Sequence, residues 1–525
     1  MVPQAVLLKR KEGALLLAHT LSCGLEGVHG FVVDVEAFLS NGLPGFDLVG
    51  LPSAAVKESR DRIRAALLVS GFSWPFQKMT INLAPADIRK EGTSFELAIA
   101  IALLAAEKPE EYHDLDKTLL LGELSLEGKL MPIHGALGMV ITATGHGIAR
   151  VILPRQNARE VACITGIDVY PAENLLQVID HLNGKEHLNR QVPVSYEGLL
   201  KERVIRHDMK YVKGQAIARK ALEVAAAGGH NLLMVGIPGS GKTMLARCLP
   251  GILPPMSYEE ALETTLIHSA SGELGEDEGL ITERPFRSPH HNISMPAMIG
   301  GGGRVRPGEV SLAHNGVLFL DELPEFQRPT LESLRQPLED GCVYIKRVAS
   351  KASYQSRCML VAGMNPCPCG NHGSRVKQCR CTPAEINRYM GKISGPLLDR
   401  MDMQVEMDAV SIQEIEGTGE QEDSATVQTR VWKARLRQQE RYRNEAYFCN
   451  AHLPQEAIER HCRMDDQAKA LLHQAVERFH ISMRAYARIR KVAKTIADLA
   501  ERDIINAQDM AQAIRFRNAE GLLGR

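Results

Sequence analysis

One octapeptide limits the possible folds of this chain more than any other part of its sequence. Gly236-Ile-Pro-Gly-Ser-Gly-Lys-Thr243 follows an apolar run, Asn231–Val235, that predicts a strand, and the residues after it predict a helix. A glycine-rich turn between a strand and a helix lets backbone N–H groups face a phosphate, and the helix amino end adds its dipole. The sequence therefore predicts a phosphate-binding loop formed by Gly236, Pro238, Gly239, Ser240, Gly241, Lys242 and Thr243.

The loop and one later strand together predict a reaction. Lys242 is expected to pair with the β- and γ-phosphates, and the Thr243 hydroxyl is expected to bind Mg²⁺. Val317-Leu-Phe-Leu320 predicts a central strand, and Asp321 and Glu322 follow at its carboxyl end. Asp321 would orient Mg²⁺ and its water, and Glu322 would act as general base for the attacking water. This combination favours hydrolysis of ATP with Mg²⁺ over nucleotide binding alone.

Composition restricts the interpretation in three ways. The 62 lysine and arginine residues balance 63 aspartate and glutamate residues, so any DNA site must come from local arrangement. The longest apolar run, Leu97–Ala106, has ten residues. A membrane-spanning helix needs about 20, so this run predicts a buried helix. The 11 cysteines are too sparse for a disulfide scaffold, which favours a reducing cytoplasm.

The order of apolar runs predicts an α/β fold in several parts. Residues 1–185 mix strands with helices. Residues 207–412 alternate buried strands with helices, which is typical of a parallel sheet, and residues 427–525 have an almost wholly helical pattern. The polar segment 186–206 and the acidic segment 413–426 are predicted to be linkers.

Further motifs give the chain a family resemblance. Met364-Asn365, Ser394-Gly-Pro-Leu-Leu-Asp-Arg400 and Ser482-Met-Arg484, together with Asp321-Glu322, resemble the corresponding elements of AAA+ ATPases. Arg284-Pro-Phe-Arg-Ser-Pro-His-His291 and Asn365-Pro-Cys-Pro-Cys-Gly370 are similar to the magnesium-chelatase-like branch, and most of all to ComM-type DNA helicases. The resemblance covers most of the chain.

The resemblance implies catalytic roles at the matching positions. Asn365 would be sensor 1 and place the water, Arg400 would be the arginine finger that reaches a neighbouring subunit's nucleotide, and Arg484 would be sensor 2. Positioned arginines stabilise the charge that spreads over a transferring phosphoryl group. Two alternatives stay open. Arg400 could form a surface ion pair with Asp399 or Asp402 and have no catalytic role, and Arg488 could act as sensor 2 in place of Arg484.

A cysteine cluster predicts a metal site. Cys367, Cys369, Cys379 and Cys381 form two Cys-x-Cys pairs within fifteen residues, and four thiolates suit a structural, tetrahedral Zn²⁺. The alternative is four free thiols in a loop. The cluster lies between Asn365 and Arg400, so a metal there would stiffen the path between two catalytic elements.

Two segments are candidates for DNA contact. The resemblance implies that Pro285–Gly308 is an insertion facing the pore of a ring, with Arg287 and Arg304 as DNA-binding residues. A predicted β-hairpin before Asn365 carries Lys346, Arg347 and Lys351 beside Tyr344. Basic side chains next to an aromatic ring suit the phosphates and bases of a single strand. Without the resemblance, a solvated hairpin is the better reading, and His290-His291 is too small a set for a metal site.

The amino-terminal segment resembles a protease domain that has lost its base. Lys90-Glu-Gly-Thr-Ser94 is similar to the serine loop of Lon-type proteases, and Glu123–Ile133 is similar to the strand pair that follows it. The catalytic lysine would fall near Leu137, but no lysine occurs from Leu130 to Arg150. Ser94 therefore lacks the base it would need, which predicts a Lon-like α+β fold without proteolysis.

Taken together, the resemblance implies a hexameric AAA+ motor with three parts: a Lon-like domain, an α/β ATPase core and an all-helical lid. It would use ATP and Mg²⁺, with a structural Zn²⁺, to move single- or double-stranded DNA through its pore. Its implied role is branch migration of recombination intermediates during natural transformation. The alternative is the ATPase subunit of a metal chelatase or of another AAA+ remodelling complex. The front domain and the cysteine cluster favour the helicase, and Glu322, Asn365 and Arg400 argue against a scaffold without catalysis.

Overall fold

The computed structural model describes residues 16–201, 206–275, 278–302, 305–346, 351–374, 377–410, 414 and 421–517. The chain forms two compact units. The first comprises Met1–Glu202 with Ala261–Ile281 and Lys346–Ala352, and the second comprises Arg203–Glu260, Thr282–Ile345 and Ser353–Arg525. The segment Ala261–Ile281, which lies within the predicted ATPase core 207–412, belongs to the first unit.

A seven-stranded mixed sheet organises the first unit. In spatial order its strands are Gly45–Val49, Lys78–Ala84, His29–Ser40, Leu16–Glu26, Thr118–Leu120, Arg150–Pro154 and Asp168–Ala172. A small ladder pairs Glu123–Leu124 with Leu130–Met131. The helices are Ala54–Val69, Glu96–Glu107, Ala136–Gly145, Ala158–Val161, Leu175–Leu182 and Tyr196–Lys201.

The apolar run near residue 100 forms the central helix of this unit. Every residue of helix Glu96–Glu107 up to Ala106 is buried, which confirms the predicted buried helix. Such a helix is apolar on all sides because it is covered on all sides. The one buried carboxylate of this helix, Glu96, accepts hydrogen bonds from the Arg62 guanidinium and from the backbone N–H of Leu124. In the described part of the chain, no helix is long and apolar enough to cross a membrane.

A five-stranded, wholly parallel sheet forms the centre of the second unit. In spatial order its strands are Phe286–Arg287, Val317–Leu320, Met359–Met364, Leu232–Gly236 and Met403–Met407. Its three central strands are buried at every position, as in sheets with both faces covered. Two short ladders pair Gly300–Gly301 with Arg306–Pro307, and Cys342–Lys346 with Lys351–Gln355.

Helices surround this sheet and then form the carboxyl-terminal bundle. Those of the core are Ala216–Gly228, Lys242–Arg247, Leu249–Ile252, Met295–Ile299, Glu309–Leu312, Arg328–Ser333, Arg335–Asp340, Pro383–Met390 and Gly395–Leu398. Helix Tyr258–Ser271 begins in the second unit, and its residues from Ala261 belong to the first. The bundle consists of Ser424–Arg441, Gln455–His461, Asp466–Phe479, Met483–Leu499 and Ala507–Arg515. The predicted α/β fold with a parallel sheet and a helical carboxyl-terminal region is confirmed.

Candidate nucleotide site

Parallel strands bring the predicted catalytic residues to one edge of the sheet. Val235 lies in register with Met364, and Leu320 with Ala362, so the three central strands end side by side. The phosphate loop, Asp321 and Asn365 each follow one of these strand ends. Carboxyl ends of parallel strands are where α/β sheets bind ligands.

Glycine is required at two turns of the phosphate loop. Gly239 has φ +80° and Gly241 has φ +91°, in a left-handed region that other residues enter only with strain. Helix Lys242–Arg247 starts directly after Gly241, so its amino end points at the loop. The segment therefore folds as a glycine turn that leads directly into a helix, which is the geometry from which its sequence predicts anion binding.

Lys242 connects the loop to the neighbouring strand. Its buried ammonium group donates to the carbonyl oxygens of Gly236 at 2.7 Å and Ile237 at 3.1 Å, and to Asn365 Oδ1 at 3.2 Å. Burial lowers the pKa of Lys242, and the negative charges of Asp321 and Glu322 oppose this shift. Lys242 and Asn365 thus lie within hydrogen-bonding distance, as a shared γ-phosphate would require.

The residues predicted to hold Mg²⁺ also meet. Thr243 Oγ1 donates to Asp321 Oδ2 at 2.6 Å, and the other carboxylate oxygen accepts the Glu322 backbone N–H at 3.0 Å. Gly363 makes this fit possible, because a Cβ there would lie 2.9 Å from Asp321 Oδ1. A hydroxyl and a carboxylate side by side are the hard oxygen ligands that Mg²⁺ prefers, so these residues fit the ion.

A cavity next to the loop adds residues that sequence reasoning missed. Gln215 Nε2 donates to the carbonyl oxygens of Asp408 at 2.6 Å and Ser240 at 3.3 Å, so its segment borders the phosphate loop. Its neighbours Gly214 and Ala216 line a cavity of about 580 Å³ together with Met209. The sequence signal for this border was the Gly214-Gln215 pair before helix Ala216–Gly228. In the structure this pair forms a turn in which Gln215 has φ +55°.

Arg400 and Arg484 lie at the opposite edge of the sheet. Asn231, just before strand Leu232–Gly236, donates through Nδ2 to the Arg400 carbonyl oxygen at 3.0 Å. Five strand residues span roughly 16 Å, which separates this end from the phosphate loop. A cavity of about 210 Å³ has both Arg400 and Arg484 in its lining. The two arginines are brought together, but not to the phosphate loop of their own chain.

The alternatives for these arginines have different outcomes. The Arg400 guanidinium donates to the Pro396 carbonyl oxygen at 3.0 Å and forms an ion pair with Glu339, not with Asp399 or Asp402. Arg488 pairs with Asp402 at 3.2 Å and is mostly buried. Arg484 is 74% exposed, and its ion pair with Asp399 is long at 3.9 Å. Of the two arginines, Arg484 is therefore the more available to a nucleotide.

The four cysteines of the cluster come together as a metal site would require. The three Sγ distances among Cys367, Cys369 and Cys379 are 3.4, 3.7 and 3.6 Å, and all four sulfurs lie within 4.8 Å of one another. Zn–S bonds of about 2.3 Å at tetrahedral angles place sulfurs about 3.8 Å apart. The backbone N–H groups of His372 and Cys381 donate to Cys367 and Cys379. The set fits Zn²⁺.

The cysteine turn also packs on the phosphate loop. Gly370 follows the first Cys-x-Cys pair, has φ +78°, and donates its N–H to the Cys367 carbonyl oxygen. A Cβ at Gly370 would lie 2.6 Å from the ring of Pro238. The sequence predicted a path from the cluster to Asn365 and Arg400. This contact joins the cluster to the nucleotide loop as well.

The predicted DNA-binding residues have mixed placements. Lys346 is exposed at the end of strand Cys342–Lys346, and Tyr344, two residues earlier and 61% exposed, shares its face. Arg304, Arg347 and the Lys351 side chain lie outside the described residues. Arg287 donates to both carboxylate oxygens of Glu309, at 2.7 and 2.8 Å, and both side chains are partly buried. That ion pair gives Arg287 a structural role. The DNA-binding proposal below therefore does not use Arg287.

Ser94 is placed as a structural residue. It is 4% exposed, and its hydroxyl donates to the Cys23 carbonyl oxygen at 3.1 Å. At the position expected for a catalytic lysine, the Leu137 backbone N–H meets the buried carboxylate of Glu160 at 2.9 Å. The loss of proteolysis stays a prediction.

Known families match three regions of the chain. The family described as magnesium chelatase, subunit ChlI, matches residues 208–415. The families described as subunit ChlI of Mg-chelatase and as the ChlI C-terminal region match residues 35–157 and 421–517.

Full-length relatives are also found. The "Uncharacterized protein YifB" of Escherichia coli is 42% identical over 516 residues, 97% of this chain and 98% of its own length. The "Competence protein ComM" of Haemophilus influenzae is 42% identical over 515 residues, with the same coverage. A Lon protease of Finegoldia magna is 27% identical over 168 residues, 30% of this chain and 21% of its own length.

Proposed function

This chain belongs to the ComM/YifB group of magnesium-chelatase-like AAA+ ATPases, and from that membership we propose that it is a ring-forming, ATP-driven DNA motor. Its substrates would be branched recombination intermediates, which it moves during natural transformation. Membership of this group supports the Lon-like fold of the amino-terminal region, and it implies ATP with Mg²⁺ as the nucleotide substrate. The DNA, the hexamer and the residue roles are the proposal.

One observation carries the motor proposal, namely the division of the site between two sheet edges. Lys242, Asp321, Glu322 and Asn365 meet at one edge, whereas Arg400 lies beyond the other end of strand Leu232–Gly236. An arginine beyond the far end of a strand roughly 16 Å long does not reach a γ-phosphate bound at its own chain's loop. It can touch one only on a neighbour. Hydrolysis would therefore depend on a head-to-tail ring, a heterologous assembly that closes on itself.

The chemistry would follow from the positions of the side chains. Thr243 and Asp321 would hold Mg²⁺, which offsets phosphate charge when bound. Asn365 would orient a water, and the Glu322 carboxylate would accept a proton as the water oxygen attacks the γ-phosphorus. The bond to the β–γ bridging oxygen breaks, and ADP leaves with that oxygen. Lys242 in cis and Arg400 in trans would stabilise the charge on the transferring group.

DNA as the moving substrate is supported by two observations. A relative that matches 97% of this chain is named a competence protein. That name supports natural transformation as the process in which this chain would act on DNA. Lys346 and Tyr344 share an exposed face of the hairpin, where an ammonium group and an aromatic ring can contact a phosphate and a base. Because the net charge is −1, DNA binding would depend on such a local site and not on the overall charge.

The DNA proposal predicts that nucleic acid stimulates hydrolysis. We expect single-stranded DNA to raise the ATPase rate of the full chain several-fold, and a labelled four-way junction to be converted to products only with ATP. Lys346→Ala should weaken binding and reduce the salt dependence by about one ion. Lys433→Ala, a lysine elsewhere in the chain, is the matched control. An ATPase that ignores DNA and leaves the junction intact would exclude the motor and favour a chelatase-type role.

The cysteine cluster is proposed to be a structural Zn²⁺ site that steadies the phosphate loop. Four protein ligands leave no open position for catalysis, so the role would be mechanical. The contact between Gly370 and Pro238 supports this, because it joins the metal-bound turn to the nucleotide loop.

Zinc removal should therefore affect nucleotide binding as well as stability. We expect one Zn²⁺ per chain by elemental analysis. Stripping it, or the change Cys379→Ser, should lower the melting temperature by about 5 °C or more and raise the KM for ATP. Cys342→Ser, at a half-buried cysteine outside the cluster, is the control. Purified protein without zinc, or stripped protein with unchanged melting and KM, would contradict the proposal.

A further inference from the structure

A buried thiol outside the nucleotide site lies against an imidazole ring. Cys449 directly precedes a short 3₁₀ helix, Asn450–His452, and its Sγ lies 3.2 Å from His452 Nδ1. The thiol is free and fully buried, whereas His452 is exposed. The Phe448 ring packs against the His452 ring, with centroids 4.9 Å apart, and keeps it beside the sulfur. The proposed mechanism of hydrolysis uses neither Cys449 nor His452.

Positive charge around the sulfur favours the thiolate. Arg435 is 8% exposed, and its guanidinium donates to the carbonyl oxygens of Ala226 at 2.9 Å and Ala227 at 3.1 Å, which fixes its position. Burial alone would raise the pKa of Cys449, but the positive charges of His452 and Arg435 outweigh it and lower that pKa to about 7. The Cys449 thiolate in turn raises the pKa of His452. A thiolate beside an imidazolium is the nucleophilic form of cysteine.

A small cavity lies beside this pair. Its volume is about 60 Å³, and Cys449, His452 and Arg435 are among the residues that line it. One water needs about 10–15 Å³ of such volume, so the cavity admits a few waters or a molecule of similar size. Hydrogen peroxide is of that size, whereas a peptide disulfide is far larger. Cys358 lines the same cavity, but burial raises the pKa of its thiol to about 12. The cavity therefore selects small oxidants and presents the Cys449 thiolate to them.

The Cys449 sulfur also lies against the turn that holds Arg400. A Cβ at Gly229 would lie 2.9 Å from Cys449 Sγ, and Gly229 lines the same cavity. Two residues later, Asn231 donates through Nδ2 to the Arg400 carbonyl oxygen at 3.0 Å, and its backbone N–H donates to Asp402 at 3.0 Å. An oxygen atom added to the sulfur from the cavity side would overpack this turn. Asn231 would shift, and Arg400 would shift with it.

We propose that Cys449 is a modification site for hydrogen peroxide, and that its oxidation displaces the turn that holds Arg400. The thiolate sulfur attacks one peroxide oxygen, and the S–O bond forms as the O–O bond breaks. The sulfur is oxidised by two electrons to a sulfenic acid, and the peroxide is reduced. The departing hydroxide takes the proton of the His452 imidazolium and leaves as water. The effect on turnover rests on the proposed role of Arg400, whereas the oxidation itself does not.

Labelling of the full chain tests the oxidation. Protein treated with hydrogen peroxide is quenched with catalase and unfolded in urea with dimedone, which marks sulfenic acids, and the marked peptides are identified by mass spectrometry. Cys449 should be labelled at least about tenfold faster than Cys358, the matched control in the same cavity, because about half of a thiol with a pKa near 7 is ionised at pH 7. His452→Asn keeps a polar group beside the sulfur but cannot carry the charge, and should slow the labelling several-fold. Equal labelling of Cys449 and Cys358, or no label on Cys449, would overturn the peroxide site.

The effect on turnover is measured separately. Peroxide should lower the kcat of the wild-type assembly by about tenfold or more, as a small displacement of a catalytic group does, and leave ATP binding unchanged. Cys449→Ser, or Cys449→Ala if the serine variant does not fold, should have the kcat of untreated wild type and keep it under peroxide. A labelled Cys449 with unchanged kcat, or an inactivation that persists without Cys449, would overturn the effect on Arg400. Untreated protein that lacks ATPase activity would overturn the proposed function, while labelling of Cys449 would still support the peroxide site.

Discussion

Replacing Arg400 by alanine should lower the ATPase turnover of the assembled protein by about a thousandfold while leaving ATP binding intact. The expected size is that of an arginine that stabilises a transferring phosphoryl group in trans. The residue lies far from the phosphate loop of its own chain, so loss of its charge should not weaken nucleotide binding there. Single-turnover ATPase and binding of a labelled ATP analogue measure the two effects separately.

Folding should not explain this loss. The partner of Arg400, Glu339, is 69% exposed, and an ion pair with such a partner contributes at most about 1 kcal/mol. The melting temperature of Arg400→Ala should therefore stay close to that of the wild type. Arg443→Ala removes an exposed arginine from the helical region and is the matched control. An Arg400→Ala protein that assembles and hydrolyses ATP at the wild-type rate would disprove the finger assignment.

Glu322→Gln should have the second large effect, a loss of about a thousandfold in kcat, within the range that general-base catalysis supplies. Glutamine keeps the shape of the side chain but cannot accept the proton of the attacking water. ATP should still bind and the protein should still assemble, because Lys242, Thr243 and Asp321 keep their contacts. The loss of turnover is measured as kcat. ATP binding is measured separately, as nucleotide that elutes with the protein from a size-exclusion column.

A nearby acid provides the comparison for Glu322. Glu325 lies three residues later, pairs with Lys392 at 3.2 Å and is 43% exposed. Glu325→Gln should hydrolyse ATP normally. If Glu322→Gln also hydrolysed ATP normally, the general base would be another residue.

Much of the fold was predictable because its elements carry local signals. The strand before the phosphate loop, the strand before Asp321 and the strand ending at Met364 are continuous apolar runs bounded by glycine or polar residues, and all three are buried strands. The apolar run Leu97–Ala106 is a buried helix for the same reason. The phosphate loop was the most specific signal, since its glycines, lysine and threonine act within eight consecutive residues.

What the sequence could not give depends on distant parts of the chain. A motif marks Arg400 but does not tell which edge of the sheet it lies on, and that depends on the strand order. Arg287 has a basic side chain in a basic segment, yet its partner is Glu309, twenty-two residues away. The contacts of His291 with Glu322 and of Gly370 with Pro238 join residues far apart in the sequence. No periodicity or spacing reports such contacts.

Mixing two inactive variants tests the shared site most directly. A Glu322→Gln chain keeps Arg400, and an Arg400→Ala chain keeps Glu322, so a mixed ring contains some interfaces that join an intact loop to an intact arginine. In random rings about one interface in four is of this kind. ATPase activity should return when the two proteins are assembled together, although neither hydrolyses ATP alone. Mixed assemblies that stay as inactive as each variant would contradict a site completed by a neighbouring chain.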